Sequence, residues 1–138
     1  MKHELRPGDP ELIGPYRLRG RLGAGGMGRV YLGLSPGGRA VAVKVIRAEL
    51  AQDPEFRARF RREVAVARTV SGLYTAPVLD ADTDGPEPWL ATAYVPGPSL
   101  ADAVTRHGPL PAASVLMLAA GLAEALRRST VRASCTAT

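Results

Sequence analysis

LGAGGMGRVYLGLSPGGRAVAVK, residues 22–44, decides the fold. Gly23, Gly25 and Gly28 stand at the spacing G-x-G-x-x-G, and without a Cβ the backbone amides between them can approach a phosphate chain closely. That spacing alone also fits a plain flexible hairpin, so the sequel has to discriminate. Arg29-Val30-Tyr31-Leu32 is β-branched and aromatic and reads as a strand, where a dinucleotide-binding fingerprint opens a helix. A helix after Gly28 would restore that alternative. A Walker A loop is excluded because Arg29-Val30, not Lys-Ser/Thr, follows Gly28. Ser35-Pro36-Gly37-Gly38 is a turn, and Arg39 to Ile46 the next strand. Its period of two puts Val41, Val43 and Val45 on one face and Ala42, Lys44 and Ile46 on the other. Lys44 therefore projects beside a small residue, with room for something flat.

Upstream, residues 1–13 are polar and proline-bearing and are expected to be a disordered lead-in, with Gly14-Pro15 opening the folded part. Tyr16 to Leu22 alternates apolar and basic residues as a strand does. Downstream of a weakly helical link at Arg47 to Leu50, Asp53-Pro54-Glu55 is a helix start: a capping acceptor, a proline where no amide is needed, and an acid against the dipole. The helix is expected to reach about Val70 and stop at Ser71-Gly72. Phe56, Phe60, Val64 and Ala67 mark its inward face, and Glu63 lies on nearly the same bearing. A carboxylate there needs a partner, and Lys44, 19 residues earlier, is the candidate. Strands are expected over Ala76 to Ala81 and Pro88 to Val95, around the turn Asp82 to Pro86. Tyr94 to Pro98 is a stiff linker, Ser99 to His107 a helix capped by Ser99 and stopped by Gly108, and Pro111 to Leu126 a more apolar helix.

With G-x-G-x-x-G-x-V followed by V-A-V-K, then the long helix, linker and two helices, residues 14–126 resemble the ATP-binding lobe of protein kinases, specifically the eukaryotic-like Ser/Thr kinases of bacteria. The resemblance implies an α+β fold: an N-lobe over 14–95 with a five-stranded antiparallel sheet and one long helix, then over 96–126 the hinge end and the first two helices of an incomplete C-lobe. It implies that Gly23, Ala24, Gly25, Gly26, Met27, Gly28 and Arg29 cover the triphosphate of ATP, with Leu22, Val30 and Ala42 over adenine. Lys44 would bind the α- and β-phosphates, held by Glu63. Thr92 would be the gatekeeper, and the backbone of Ala93 and Val95 would supply the hinge hydrogen bonds. Many relatives carry glutamate at Ala93, a departure that backbone bonding tolerates. On local pattern alone, Trp89 to Val95 is simply a buried strand, and His3 and His107 a chain terminus and a helix end.

At 138 residues the chain is about half what a two-lobed kinase requires. It contains no HRD, no DFG and no asparagine, so the expectation is an ATP-binding portion without phosphoryl transfer and without the family's magnesium ligands. A pseudokinase-like module docking on another kinase chain is the alternative from a different class. The net charge of +5 includes Arg127, Arg128 and Arg132, and setting these three aside leaves +2 with no basic stripe, which argues against nucleic acid. No apolar run reaches the ~18 residues of a membrane span and the N-terminus lacks a signal-like apolar core, so a cytoplasmic setting is expected. Cys135 is the single cysteine and forms no internal disulfide. Residues 127–138, RRSTVRASCTAT, depart from the family and read as out of frame: GC-rich back-translation with one base restored gives AAIHGAGVVHRD, the family's catalytic-loop pattern.

Overall fold

The structure is a computed structural model that describes residues 3–69 and 74–135, with side chains described as far as Arg127. Six strands form one antiparallel sheet in the order β1-β2-β3-β4-β6-β5: β1 Leu12–Ile13, β2 Tyr16–Gly25, β3 Gly28–Leu34, β4 Ala40–Ile46, β5 Val78–Asp82 and β6 Trp89–Ala93. β2 is pulled into a curl by register shifts between Leu18 and Gly20 and between Arg21 and Gly23, since an extra residue on one strand bends it and sharpens its twist. Tyr16 and Leu18 are thereby turned into the interior while Gly23 to Gly25 stay exposed.

The alternation read in β4 is realised. Val41 and Val43 are fully enclosed with Ile13, Tyr16, Leu18, Tyr31, Trp89 and Ala91 on one face. Ile46, from the opposite set, packs with Phe56, Phe60 and Val64 of helix α2, Pro54–Thr69, together with Leu50, Ala81 and Leu90. Asp53 Oδ1 accepts from the Glu55 amide at 2.9 Å, the expected cap, and a one-turn helix α1, Ala48–Ala51, fills the link before it. Arg57 fixes α2 to the sheet end by donating to the carbonyls of Ala51 at 2.5 Å, Asp84 at 3.1 Å and Gly85 at 2.6 Å. The β5–β6 turn closes on itself because Asp82 Oδ1 accepts from the amides of Asp84 and Gly85, contacts that hold the Asp82 carboxyl below its ordinary range. The expected stop at Ser71-Gly72 lies outside the described residues.

Three expectations are corrected. The lead-in is not disordered over its described part. Residues 3–13 run along the sheet as a strap, His3 and Arg21 exchange backbone bonds at 2.9 and 2.8 Å, β1 pairs with β2, and Leu5 packs on the core. The sheet consequently has six strands rather than five. Third, the last helix does not end at Leu126: α4 spans Ala112–Cys135, because Arg127 to Cys135 contains neither glycine nor proline to break it. Before it, α3 spans Leu100–His107, with Ser99 and Asp102 forming a capping box and Gly108 ending the helix at φ 79°. Leu100, Met117, Leu118 and Leu122 of these two helices are exposed, around an apolar groove that Tyr74 also lines. Among the described residues no helix is long and apolar enough to cross a membrane.

The strap is secured by one carboxylate. Asp9, whose side chain is fully enclosed, accepts from Arg21 Nε at 2.6 Å, Arg21 Nη2 at 2.5 Å, the Tyr31 hydroxyl at 2.8 Å and the Arg6 amide at 2.8 Å. The Arg21 guanidinium, helped by the other two donors, holds this carboxyl well below the usual range against the opposing effect of desolvation. A depressed carboxylate contributes stability that is present above the unfolded value of about 3.9 and is lost as pH falls below it toward the folded value. In thermal melts from pH 7 to pH 3, Asp9→Asn is expected to start less stable by about 2 kcal/mol, the scale of a hydrogen-bonded charge, and to lose less than the parent below pH 4.

Candidate functional site

β2 and β3 meet in a two-residue hairpin whose tip is Gly26 and Met27, with Gly25 opposite Gly28, Ala24 opposite Arg29 and Gly23 opposite Val30. The glycines separate into two kinds. A Cβ on Gly28 would stand 2.0 Å from the Val45 carbonyl oxygen, so this glycine is demanded by the closeness of β4. Gly23, Gly25 and Gly26 have nothing within 4 Å of such a Cβ, and none has a positive φ. Neither packing nor conformation requires glycine at those three positions, and the backbone there is open to close approach. The tip is tied to the end of β4 by Arg47, whose Nη2 donates to the Gly25 carbonyl at 3.0 Å and whose amide donates to the Met27 carbonyl at 3.2 Å.

The strand register assembles the rest of the face. Lys44 lies directly across from Val30 on one side and Leu90 on the other, and Ala42 lies between Leu32 and Thr92. Val30, Ala42, Lys44 and Thr92 therefore share one face of the sheet, all half-buried, and Leu22, half-buried at the second irregularity of β2, adjoins the loop. A cation beside a small residue, with apolar neighbours and an open backbone loop, is suited to a flat ligand carrying an anionic tail. Ala93 directs its amide to the Pro77 carbonyl at 3.0 Å, so that donor is already engaged, and Val95 is exposed.

Lys44 and Glu63 are not joined by an ion pair. Glu63 is exposed, because the buried stripe Phe56–Phe60–Val64 advances around α2 and leaves Glu63 about 60° from its centre, on the flank. A solvated pair of this kind gains about 0 to 1 kcal/mol, too little to turn the helix by itself. Among the described residues no group of three or more His, Cys, Asp or Glu side chains could hold a metal ion. The strand that follows Gly28 removes the dinucleotide-binding alternative. Sequence reasoning missed Asp9, Arg21 and Arg47. In sequence Arg21 and Arg47 are two more solvated arginines, and only the fold gives Arg21 the Asp9 carboxylate and Arg47 the Gly25 carbonyl.

A curled antiparallel sheet with a helix packed beside a lysine-bearing central strand, joined to two further helices, is part of a protein-kinase domain. In the kinase domain of PknI from Mycobacterium tuberculosis the same arrangement recurs, with a TM-score of 0.76 and 32% identity over 88% of this chain and 51% of that one. The chain is a homologue of the bacterial serine/threonine protein kinases: it is 60% identical over 126 residues to the "Probable serine/threonine-protein kinase PkwA" of Thermomonospora curvata, and 59% over 127 residues to the serine/threonine-protein kinase AfsK of Streptomyces coelicolor. These matches take in 91% and 92% of this chain but 17% and 16% of the two relatives, so the chain spans about one-sixth of their length. No protein-family model matches the chain.

Proposed function

We propose that this chain is the nucleotide-binding portion of a serine/threonine protein kinase and that it binds ATP without transferring the phosphoryl group. The observation that carries the reading is the set of three glycines facing open space beside a half-buried lysine on one face of the sheet. In this reading the loop amides and Lys44 take the phosphates, Leu22, Val30 and Ala42 cover the base, and Thr92, with the backbone at Ala93 and Val95, borders it. The catalytic-loop and DFG acids that orient the hydroxyl and hold magnesium in this family have no counterpart in the sequence. The setting consistent with this reading is the cytoplasm, where ATP is supplied.

Binding to one lobe buries less of the nucleotide than a closed cleft does, so the affinity is expected to be weak. Calorimetric titration is expected to give a dissociation constant well above the micromolar range, weakened further by Lys44→Ala and indifferent to magnesium. Micromolar or tighter binding that magnesium strengthens would sink the proposal.

A further inference from the structure

We propose that Arg47 is a positioning residue that aims the tip of the glycine loop at phosphate, an inference that rests on the nucleotide reading above. Arg47 follows the last residue of β4, three positions after Lys44, so one short stretch of chain carries both the lysine and the tie to the loop. It holds two carbonyls of the hairpin tip, Gly25 through Nη2 at 3.0 Å and Met27 through its own amide at 3.2 Å. A peptide unit is planar and trans, so its N–H points opposite to its C=O. Fixing the Gly25 carbonyl toward Arg47 fixes the Gly26 amide away from it, at a residue where no side chain stands and a Cβ would meet nothing. Released, the same peptide could turn its carbonyl outward and present a negative oxygen to an anionic ligand. The tie also sets where the loop stands relative to Lys44, since both are anchored on β4. The guanidinium is exposed and engaged with a neutral carbonyl, so its effect is on loop geometry rather than through a buried charge.

The test compares the full chain with Arg47→Met, which keeps the stem and removes the donor, and with Arg47→Lys, which keeps the charge and a single donor group. ATP and adenosine affinities are measured by titration, and backbone amide exchange over residues 25–28 is followed without nucleotide. Arg47→Met is expected to weaken ATP about fivefold, the size of one lost hydrogen bond, to leave adenosine unchanged, and to speed exchange in the loop. Arg47→Lys is expected to fall between the two in both readouts. Equal losses for ATP and adenosine, or no loss for either, overturn the inference. So does a loss for ATP with exchange unaltered, or an Arg47→Lys chain that regains ATP affinity while its loop still exchanges fast, because either result makes Arg47 a charge and not a positioner. A parent chain that binds no ATP overturns the nucleotide reading and this inference with it, whereas ATP binding indifferent to Arg47→Met overturns this inference alone.

Discussion

Gly28→Ala is expected to destabilise the chain by about 3 kcal/mol or more, while Gly25→Ala and Gly26→Ala change stability by less than about 1 kcal/mol. The Cβ of an alanine at position 28 would stand 2.0 Å from the Val45 carbonyl oxygen and 3.2 Å from the Ile46 Cα, both backbone atoms that no side-chain rotation can move aside. Either β3 separates from β4 at this end of the ladder, or the carbonyl swings out of its pairing. At positions 25 and 26 the same methyl meets nothing within 4 Å, and a stiffer unfolded chain offsets any small loss. Nucleotide affinity is expected to respond in the same two variants that stability ignores, because the added methyl occupies the space the phosphates would enter. Chemical denaturation and ATP titration of the three variants check both halves. If Gly28→Ala melts with the parent, the close approach of β3 and β4 is wrong; if Gly26→Ala binds ATP as the parent does, the loop does not cradle phosphate from that side.

The architecture was legible where periodicity and punctuation are strong. β3 follows from the β-branched and aromatic run after Gly28, β4 from its alternation of valines, and α3 from Ser99 and Gly108. The strap was not legible, because Met1 to Ile13 has no period and carries prolines. What orders its described part is pairing with β2 together with an aspartate whose partners, Arg21 and Tyr31, are 12 and 22 residues away in sequence. Local composition cannot report a contact of that kind. The candidate site divides the same way. That Lys44 shares a face with Ala42 follows from strand geometry, and the register adds Val30 and Thr92. The pairing of Lys44 with Glu63 depended instead on the rotation of α2, which is set by where Phe56, Phe60 and Val64 find apolar partners and by how Arg57 grips the β5–β6 turn. Helical bearing from a single residue cannot resolve a flank from a centre. The extension of α4 to Cys135 is hidden for the opposite reason, since the sequence changes character after Leu126 while no breaking residue intervenes.

Trp89→Ala is expected to cost about 3–5 kcal/mol, a large fraction of the 5–15 kcal/mol that holds an ordinary domain together. Trp89 begins β6 at 7% exposure, meets the Tyr16 ring edge-on with centroids 5.6 Å apart, and belongs to the core that β4 fills with Val41 and Val43. It also supports the strap. Gly14, at φ +52° in the turn between β1 and β2, lies so close that a Cβ there would stand 2.5 Å from Trp89 Cζ2. Removing the indole leaves that turn over a void, so residues 12–18 are expected to open first, with faster amide exchange there than in α2, whose cluster of Ile46, Phe56, Phe60 and Val64 lies on the other face. Trp89→Phe, which keeps an aromatic edge against Tyr16, is expected to recover most of the loss, and Leu116→Ala, at a side chain 71% exposed, to stay within about 0.5 kcal/mol of the parent. Trp89 is the chain's one tryptophan, so its fluorescence in the parent reports this core directly. An emission maximum already shifted to that of a solvated indole, or uniform exchange in Trp89→Ala across β1, β2 and α2, would show that the strap and the indole are not coupled as the packing requires.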